Sequence, residues 1–298
     1  MGEEIINKEN YSENIELLAA QKQLYIIAKR IFVLQIILTS AIIVVLSILN
    51  LFADTSKILS VYSILIAFID LLLIKDLIKK YKDKAARIQE QFDTTVLSIA
   101  TNTLIEKVDL EEIGRYARKH KKIDPIYSKL KNWYSTSIKE IDNPVARIVC
   151  QRSNFVYDST LRKNYNLALS ILIGVMSLIV IVLAIINESN LIDFLLTGVL
   201  PVLPILMLFV QILKDNKTSN NNLEKLKQIA NESWDKVLNN QLIDINQTSR
   251  NLQDMIFQNR INSPLIFEWF YNVKRKQLEE EMYYSVDRLV ADYKAKNV

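Results

Sequence analysis

An all-α integral membrane protein, with four transmembrane helices in two hairpins and a helical cytosolic domain, is the fold class this sequence predicts. Three observations carry it. Half of the 298 residues are apolar, and they gather in long uncharged blocks. Only 4 Gly and 5 Pro occur, so turns are few and helix is favoured. No stretch alternates polar and apolar residues as a half-buried strand would.

The spans come first. Residues 31–53 form 23 positions without a charge, and residues 167–186 form 20. Each meets the requirement of about 20 apolar residues for a hydrocarbon core about 30 Å thick. Residues 58–74 are fewer and interrupted by Asp70, while residues 194–213 are uncharged but carry Gly198, Pro201 and Pro204. Buried helices of a soluble protein are the alternative, and four coincidences of length and missing charge argue against it. A signal peptide is not expected at the first span, because about thirty mostly polar residues precede it.

These spans divide the chain into an N-terminal cytosolic helix (1–30), hairpin 1 (31–74), a cytosolic helical segment (75–166), hairpin 2 (167–213) and C-terminal cytosolic helices (214–298). Segment 75–163 holds 19 Lys and Arg against 12 Asp and Glu, a net of +7. The outer turns carry Lys57 against Asp54, Glu188 and Asp193. Positive charge stays on the cytoplasmic side, so both termini and the middle segment are expected inside a bacterial inner membrane. Lys75, Lys79, Lys80 and Lys214 sit at the span ends, where that rule counts most.

The soluble segments read as helix. Leu77, Tyr81, Ala85, Ile88 and Phe92 recur at three- and four-residue spacing, continuing out of the second span. Leu223, Leu226, Ala230, Trp234, Val237 and Leu238 make one apolar stripe after the fourth. "RIVCQRSNFVYDSTLRKNY" runs directly into the third span. Pro125 and Pro144 mark breaks, Ser263-Pro264 marks a stop, and a last helix is expected from about Phe267 to Tyr293.

Three motifs carry a resemblance. "IELLAAQKQLYIIAKR" before the first span, "NWYSTSIKEIDNPVARIVCQRSNFVYDSTLRKNY" before the third and "QNRINSPLIFEWFYNVKRKQLEEEM" near the end resemble the SMODS-associating four-transmembrane effector family. The spans fall where that family has them, so the resemblance covers nearly the whole chain. It implies a CBASS-type membrane effector of bacterial anti-phage signalling, functionally linked to a nucleotidyltransferase that makes a cyclic nucleotide or oligonucleotide messenger. The action it implies is permeabilisation of the inner membrane. It supplies neither catalytic residues nor nucleotide-binding positions.

The residues can be weighed beside that expectation. The single cysteine, Cys150, lies near Arg147 and Arg152, which could activate a thiolate. The lone histidine, His120, is about 30 residues away beyond two prolines, so a small buried thiol is the favoured reading. One Cys and one His exclude Cys- or His-rich metal clusters, and no cofactor is expected. No Gly-rich phosphate loop exists, which removes the common NTPase readings; the chain is not expected to be an enzyme. Arg147, Arg152 and Arg162 could read the phosphates of a messenger, with Asn154 and Tyr157 contacting or stacking on a base. The alternative is a solvated helix face, which is favoured for the run "RYARKHKK", residues 115–122. No DNA or RNA polymer is expected as a partner.

In the membrane, Ser60, Ser63, Ala67 and Asp70 fall in a stripe about 80° wide on the second span. Thr197, Pro201, Pro204 and Gln211 make a similar stripe on the fourth. Ser170, Gly174 and Ser177 form a small-residue seam on the third. These faces either pack the bundle or line a lumen; a wide lumen would need several copies, hence a homo-oligomer. Asp70 lies about 18 Å inside the outer end of its span, where it requires a partner, water or a pore. Pro201 and Pro204 should kink the fourth span. The expected function is a nucleotide-sensing, pore-forming effector. The alternative is a membrane-anchored scaffold, or a small channel or transporter without nucleotide sensing.

Overall fold

The computed structural model describes residues 2–50, 53–186, 190–242 and 244–297, apart from the side chains of Ala184, Asp193, Leu196, Thr197 and Pro201. The chain is all-α, with no strand among the described residues. Glu188 of the second outer turn, and the side chains of Asp193, Thr197 and Pro201, lie outside the described part.

The first half begins with α1 (Glu3–Glu9) and α2 (Ser12–Ile36), which passes through a π turn (Ile37–Ala41) into α3 (Ile42–Leu49). After the outer turn, α4 (Ser56–Ile69) passes through a second π turn (Asp70–Ile74) into α5 (Lys75–Val96). The helices outside the membrane therefore run into the spans without a break, as the sequence pattern predicts. α6 (Leu110–Lys121) packs on α2. Its first turn holds Glu111 and Glu112 and its last turn Arg118, Lys119, His120 and Lys121, an arrangement that complements the helix dipole. The basic run at 115–122 thus forms the second half and the end of a short helix.

The second half is built on α7 (Asn143–Ile186), 44 residues long, with Pro144 in its first turn. The short α8 (Leu191–Asp193) and a π turn (Phe194–Val199) lead to α9 (Leu200–Leu238), which contains Pro204. α10 (Ile245–Asn262) is capped by Asp244, whose side chain accepts from the Gln247 amide at 2.9 Å. Ser263-Pro264 ends it, and α11 (Glu268–Asn297) closes the chain.

α2 pairs with α5 and α7 pairs with α9, so each half is an antiparallel pair of long helices. α10 touches α5, α7 and α9, and α11 lies along α7. Among the described residues, three helical stretches, Ser12–Leu49, Ser56–Val96 and Asn143–Leu183, are long and apolar enough to cross a membrane. Their apolar side chains, such as Ile58, Leu71, Leu72, Leu73 and Ile171, are exposed in the single chain, as lipid-facing residues must be. Most of the core lies outside the membrane, in several clusters. One reaches into the inner ends of the third and fourth spans and joins Tyr157, Tyr165, Leu169, Phe209, Ile212, Phe270 and Met282. Another, far from them, joins Ile5, Val96, Ile138, Val149, Cys150, Trp234 and Val290.

A polar clasp ties the two halves together. Asp93 on α5 pairs with Arg260 on α10 at 2.5 Å, and Glu90 pairs with Arg250 at 2.8 Å. Gln253 donates to both Glu90 and Asp93, and its own side-chain oxygen accepts from Gln151 of α7. Buried charges survive only when paired and hydrogen-bonded, and here every carboxylate has such partners.

Candidate functional site

Between the halves, on the membrane-proximal side of the clasp, lies a cavity of about 300 Å³. That is the lower end of the range for small-molecule sites. Its walls come from α2, α5, α7, α9, α10, the segment before α7, the Pro264–Ile266 linker and the start of α11. Seven cations line it: Lys22, Lys29, Lys82, Lys129, Arg162, Arg260 and Arg275, against two acids, Asp93 and Asp158. The aromatic lining includes Tyr25, Trp133, Tyr134, Tyr157 and Tyr271.

Defined contacts hold most of these groups. Arg162 donates through Nε to Asp158 at 3.0 Å and through Nη1 to Asn216 and to the Pro264 carbonyl. Lys82 donates to the Ser263 carbonyl at 3.1 Å, and burial pulls its ammonium below the ordinary lysine value. Arg275 bonds Glu279 and the Lys129 carbonyl. Lys129 itself is exposed at the rim. The Trp133 indole donates to Asn154 Oδ1 at 2.8 Å, and Asn154 Nδ2 donates to the Tyr134 hydroxyl at 3.2 Å. Trp133 meets Tyr157 edge to face, with centroids 5.2 Å apart. Burial pushes the Tyr157 phenol well up and the Tyr25 phenol to about 12, so both stay neutral. Such a lining offers fixed donors for phosphate oxygens and aromatic faces for a base.

Asn154, Tyr157 and Arg162 of the sequence-predicted set line this cavity together. Arg147 and Arg152 do not. Arg147 is buried at the end of α5, donating from Nε to the Leu97 carbonyl at 2.7 Å and from Nη1 to Asn246 at 2.8 Å. A cation at the helix C-terminus satisfies free carbonyls there. Arg152 donates to Asn231 and Ser285, joining α7 to α9 and α11. Cys150 is 1% exposed in the distal core, and burial pushes its thiol well above the ordinary value, the opposite of activation.

Lys22, Lys29, Lys82, Trp133, Arg260, Tyr271 and Arg275 were not legible as site residues, because they come from separate segments. One signal was present. Lys22, Tyr25 and Lys29 are spaced i, i+3, i+7 and therefore share a face of α2.

The membrane stripes divide as well. Asp70 is half-buried, accepting from Gln35 Nε2 at 2.6 Å, with Lys75 Nζ at 3.5 Å. It begins one π turn while Gln35 precedes the other, and Thr39 donates to the Gln35 carbonyl. The Tyr62 hydroxyl donates to the Leu38 carbonyl inside the first π turn, at 2.7 Å. π turns displace the regular carbonyl pairing, and such side-chain donors restore it. Ser63 and Pro204 are half-buried. Ser60 is exposed and bonds its own helix at Ser56, and Gln211 is exposed beside Asp215. Gly174 faces open space in the single chain and Ser170 is exposed, while Ser177 of the same seam is half-buried.

Comparison with known proteins places this architecture. The SMODS-associating 4TM effector domain family matches residues 3–289. The chain belongs to that family. A relative described as a probable CBASS effector molecule, from Bacillus cereus (strain VD146), is 29% identical over 289 residues, covering 93% of this chain and 95% of the relative. No solved structure matches. As a SMODS-associating 4TM effector, the chain is a membrane protein of the CBASS antiviral system. Its four-span plan is that of the family domain, and the cavity lies in the part outside the membrane.

Proposed function

We propose that this effector is a nucleotide-gated, non-enzymatic membrane protein. A cyclic nucleotide or oligonucleotide, made by a functionally linked nucleotidyltransferase, binds in the cavity, and an oligomer then permeabilises the bacterial inner membrane. Both termini and the cavity face the cytoplasm in this reading, as the positive charge of segment 75–163 favours. The observation that carries it is the union of seven cations with seven aromatic rings at the junction of the two helix pairs.

The position of the cavity supports coupling. Lys29 lies two residues before the first span, and Arg162 five residues before the third, about 7.5 Å along the helix. A bound anion would touch both helix pairs close to where they meet the bilayer. The open face at Gly174 on the third span is available for contacts between copies.

The test uses the full chain in liposomes loaded with a self-quenching dye. A panel of cyclic di- and trinucleotides is added outside vesicles whose protein presents the extramembrane domain outward. At least one should bind and release dye. Lys129→Glu reverses an exposed rim charge at little cost to folding, and it should weaken binding about tenfold or more. A membrane-anchored scaffold would bind without release, and a channel without nucleotide sensing would leak regardless of the panel. Either result sinks the proposal.

A further inference from the structure

We infer that Lys22, Lys29 and Tyr271 form a phosphate subsite of the cavity for which Glu268 is a built-in competitor. An anionic phosphate entering the cavity draws the two ammoniums away from Glu268 and loosens the first turn of α11. This rests on the reading of the cavity as a nucleotide site and adds its regulation.

Both lysines and Tyr271 line the cavity, whereas Glu268 does not. The two ammoniums are nevertheless turned to Glu268, Lys22 on Oε1 at 3.0 Å and Lys29 on Oε2 at 2.5 Å. Each also lies over the Tyr271 ring, at 4.5 and 5.5 Å from its centroid. One carboxylate thus receives two lysines from the same face of α2, one on each oxygen. A phosphodiester presents the same pattern, a single negative charge shared by two oxygens. Burial alone would raise the Glu268 carboxyl, yet the lysines bring it down to about 2, so it is fully charged at neutral pH.

The turn that Glu268 anchors touches the membrane helices. Phe267 stacks on Phe32 in the first span at 5.6 Å and meets Tyr165, just before the third, at 6.2 Å. Phe270 meets Tyr165 at 5.1 Å. The linker before Glu268, Pro264 to Ile266, is itself cavity wall. Releasing Glu268 would therefore free a segment that joins the approaches to two spans.

The test uses the full chain in phosphatidylcholine nanodiscs, with cyclic di-AMP, cyclic di-GMP and inorganic tripolyphosphate as probes. Glu268→Gln and Glu268→Ala should bind at least one probe about tenfold tighter than the parent chain, the worth of one charge-assisted contact. Glu280→Gln, on an exposed part of the same helix, should leave affinity unchanged. In the parent chain, hydrogen exchange across 264–272 should quicken when the probe binds, a readout that needs no variant. Equal affinity in both Glu268 variants, with exchange unchanged, overturns the competition while leaving the nucleotide site standing. Tripolyphosphate bound, and tightened by the substitutions, with neither nucleotide bound keeps the subsite and overturns the messenger reading. If the exchange change instead requires phosphatidylglycerol in the nanodisc, the phosphate is a lipid headgroup, and again the messenger reading falls. Binding of no probe or lipid removes both.

Discussion

Arg260→Met tests the clasp between the halves. Asp93 is 2% exposed, and the guanidinium is its ionic partner at 2.5 Å. Its remaining side-chain donor is Gln253 at 3.0 Å, which Glu90 also uses. Removing the cation leaves a buried carboxylate with one shared neutral donor. Breaking a buried pair from one side costs about 3–5 kcal/mol, so the open fraction should rise about 10²- to 4 × 10³-fold at neutral pH. Adding Asp93→Asn should restore most of the loss at neutral pH. Cys150 provides the assay, because its buried thiol reacts with a maleimide only when the distal core opens. A labelling rate raised less than about tenfold, or a double variant as labile as the single one, would refute the reasoning.

Three further outcomes are expected. Glu9 accepts from the amides of Trp133 and Tyr134 at 3.0 and 3.1 Å, and burial raises its carboxyl from 4.5 to about 7. The unfolded chain loses this proton first, so the stability it carries is present below about pH 4.5 and is lost as pH rises to about 7, up to about 3 kcal/mol. Glu9→Gln should flatten the thermal melting profile across that window; an unchanged slope would contradict the assignment. Asp70→Leu removes the acceptor shared by Gln35 and Lys75, and it should lower toxicity or conductance with expression intact, whereas full toxicity would end any role in gating. Cys150 should resist alkylation in the folded protein at pH 8, where an exposed thiol of ordinary acidity reacts; fast labelling without unfolding would contradict its burial.

The membrane plan was legible because it depends on length and missing charge, which local sequence records directly. The long helices were legible for the same reason, down to the stop at Ser263-Pro264 and the last helix, which begins at Glu268 beside the expected Phe267. The π turns were not, since an extra residue in a helical turn leaves no composition signal. The site was legible in part. Asn154, Tyr157 and Arg162 are spaced i, i+3 and i+8, within about 140° of one helix face, and they meet the cavity together. Arg147 and Arg152 have the same chemistry and the same helix, yet partners on α5, α9 and α11 take them away from it. Sequence records residue type and local face, but not which distant carbonyl claims a guanidinium. Trp269 makes the same point. Phe270 is buried in the core, yet Trp269 is 63% exposed one residue before it.

The remaining step is energetic. A ligand shifts an equilibrium only by its difference in affinity between the two states. Moving an assembly from 1:99 to 99:1 requires about 10⁴-fold, or about 5.5 kcal/mol. Charge-assisted hydrogen bonds contribute about 1.5–3 kcal/mol each, so two to four contacts made in one state alone are sufficient. A site on a single helix pair could not provide them, because its contacts would survive any movement between pairs. The cavity differs in kind. Lys22, Lys29 and Lys82 belong to the first pair, and Asn154, Tyr157 and Arg162 to the second. Any relative movement of the pairs changes the ligand's contacts with one set while it holds the other. A rigid, doubly charged ring that bridged them would therefore make contacts in one arrangement of the pairs that it loses in the other.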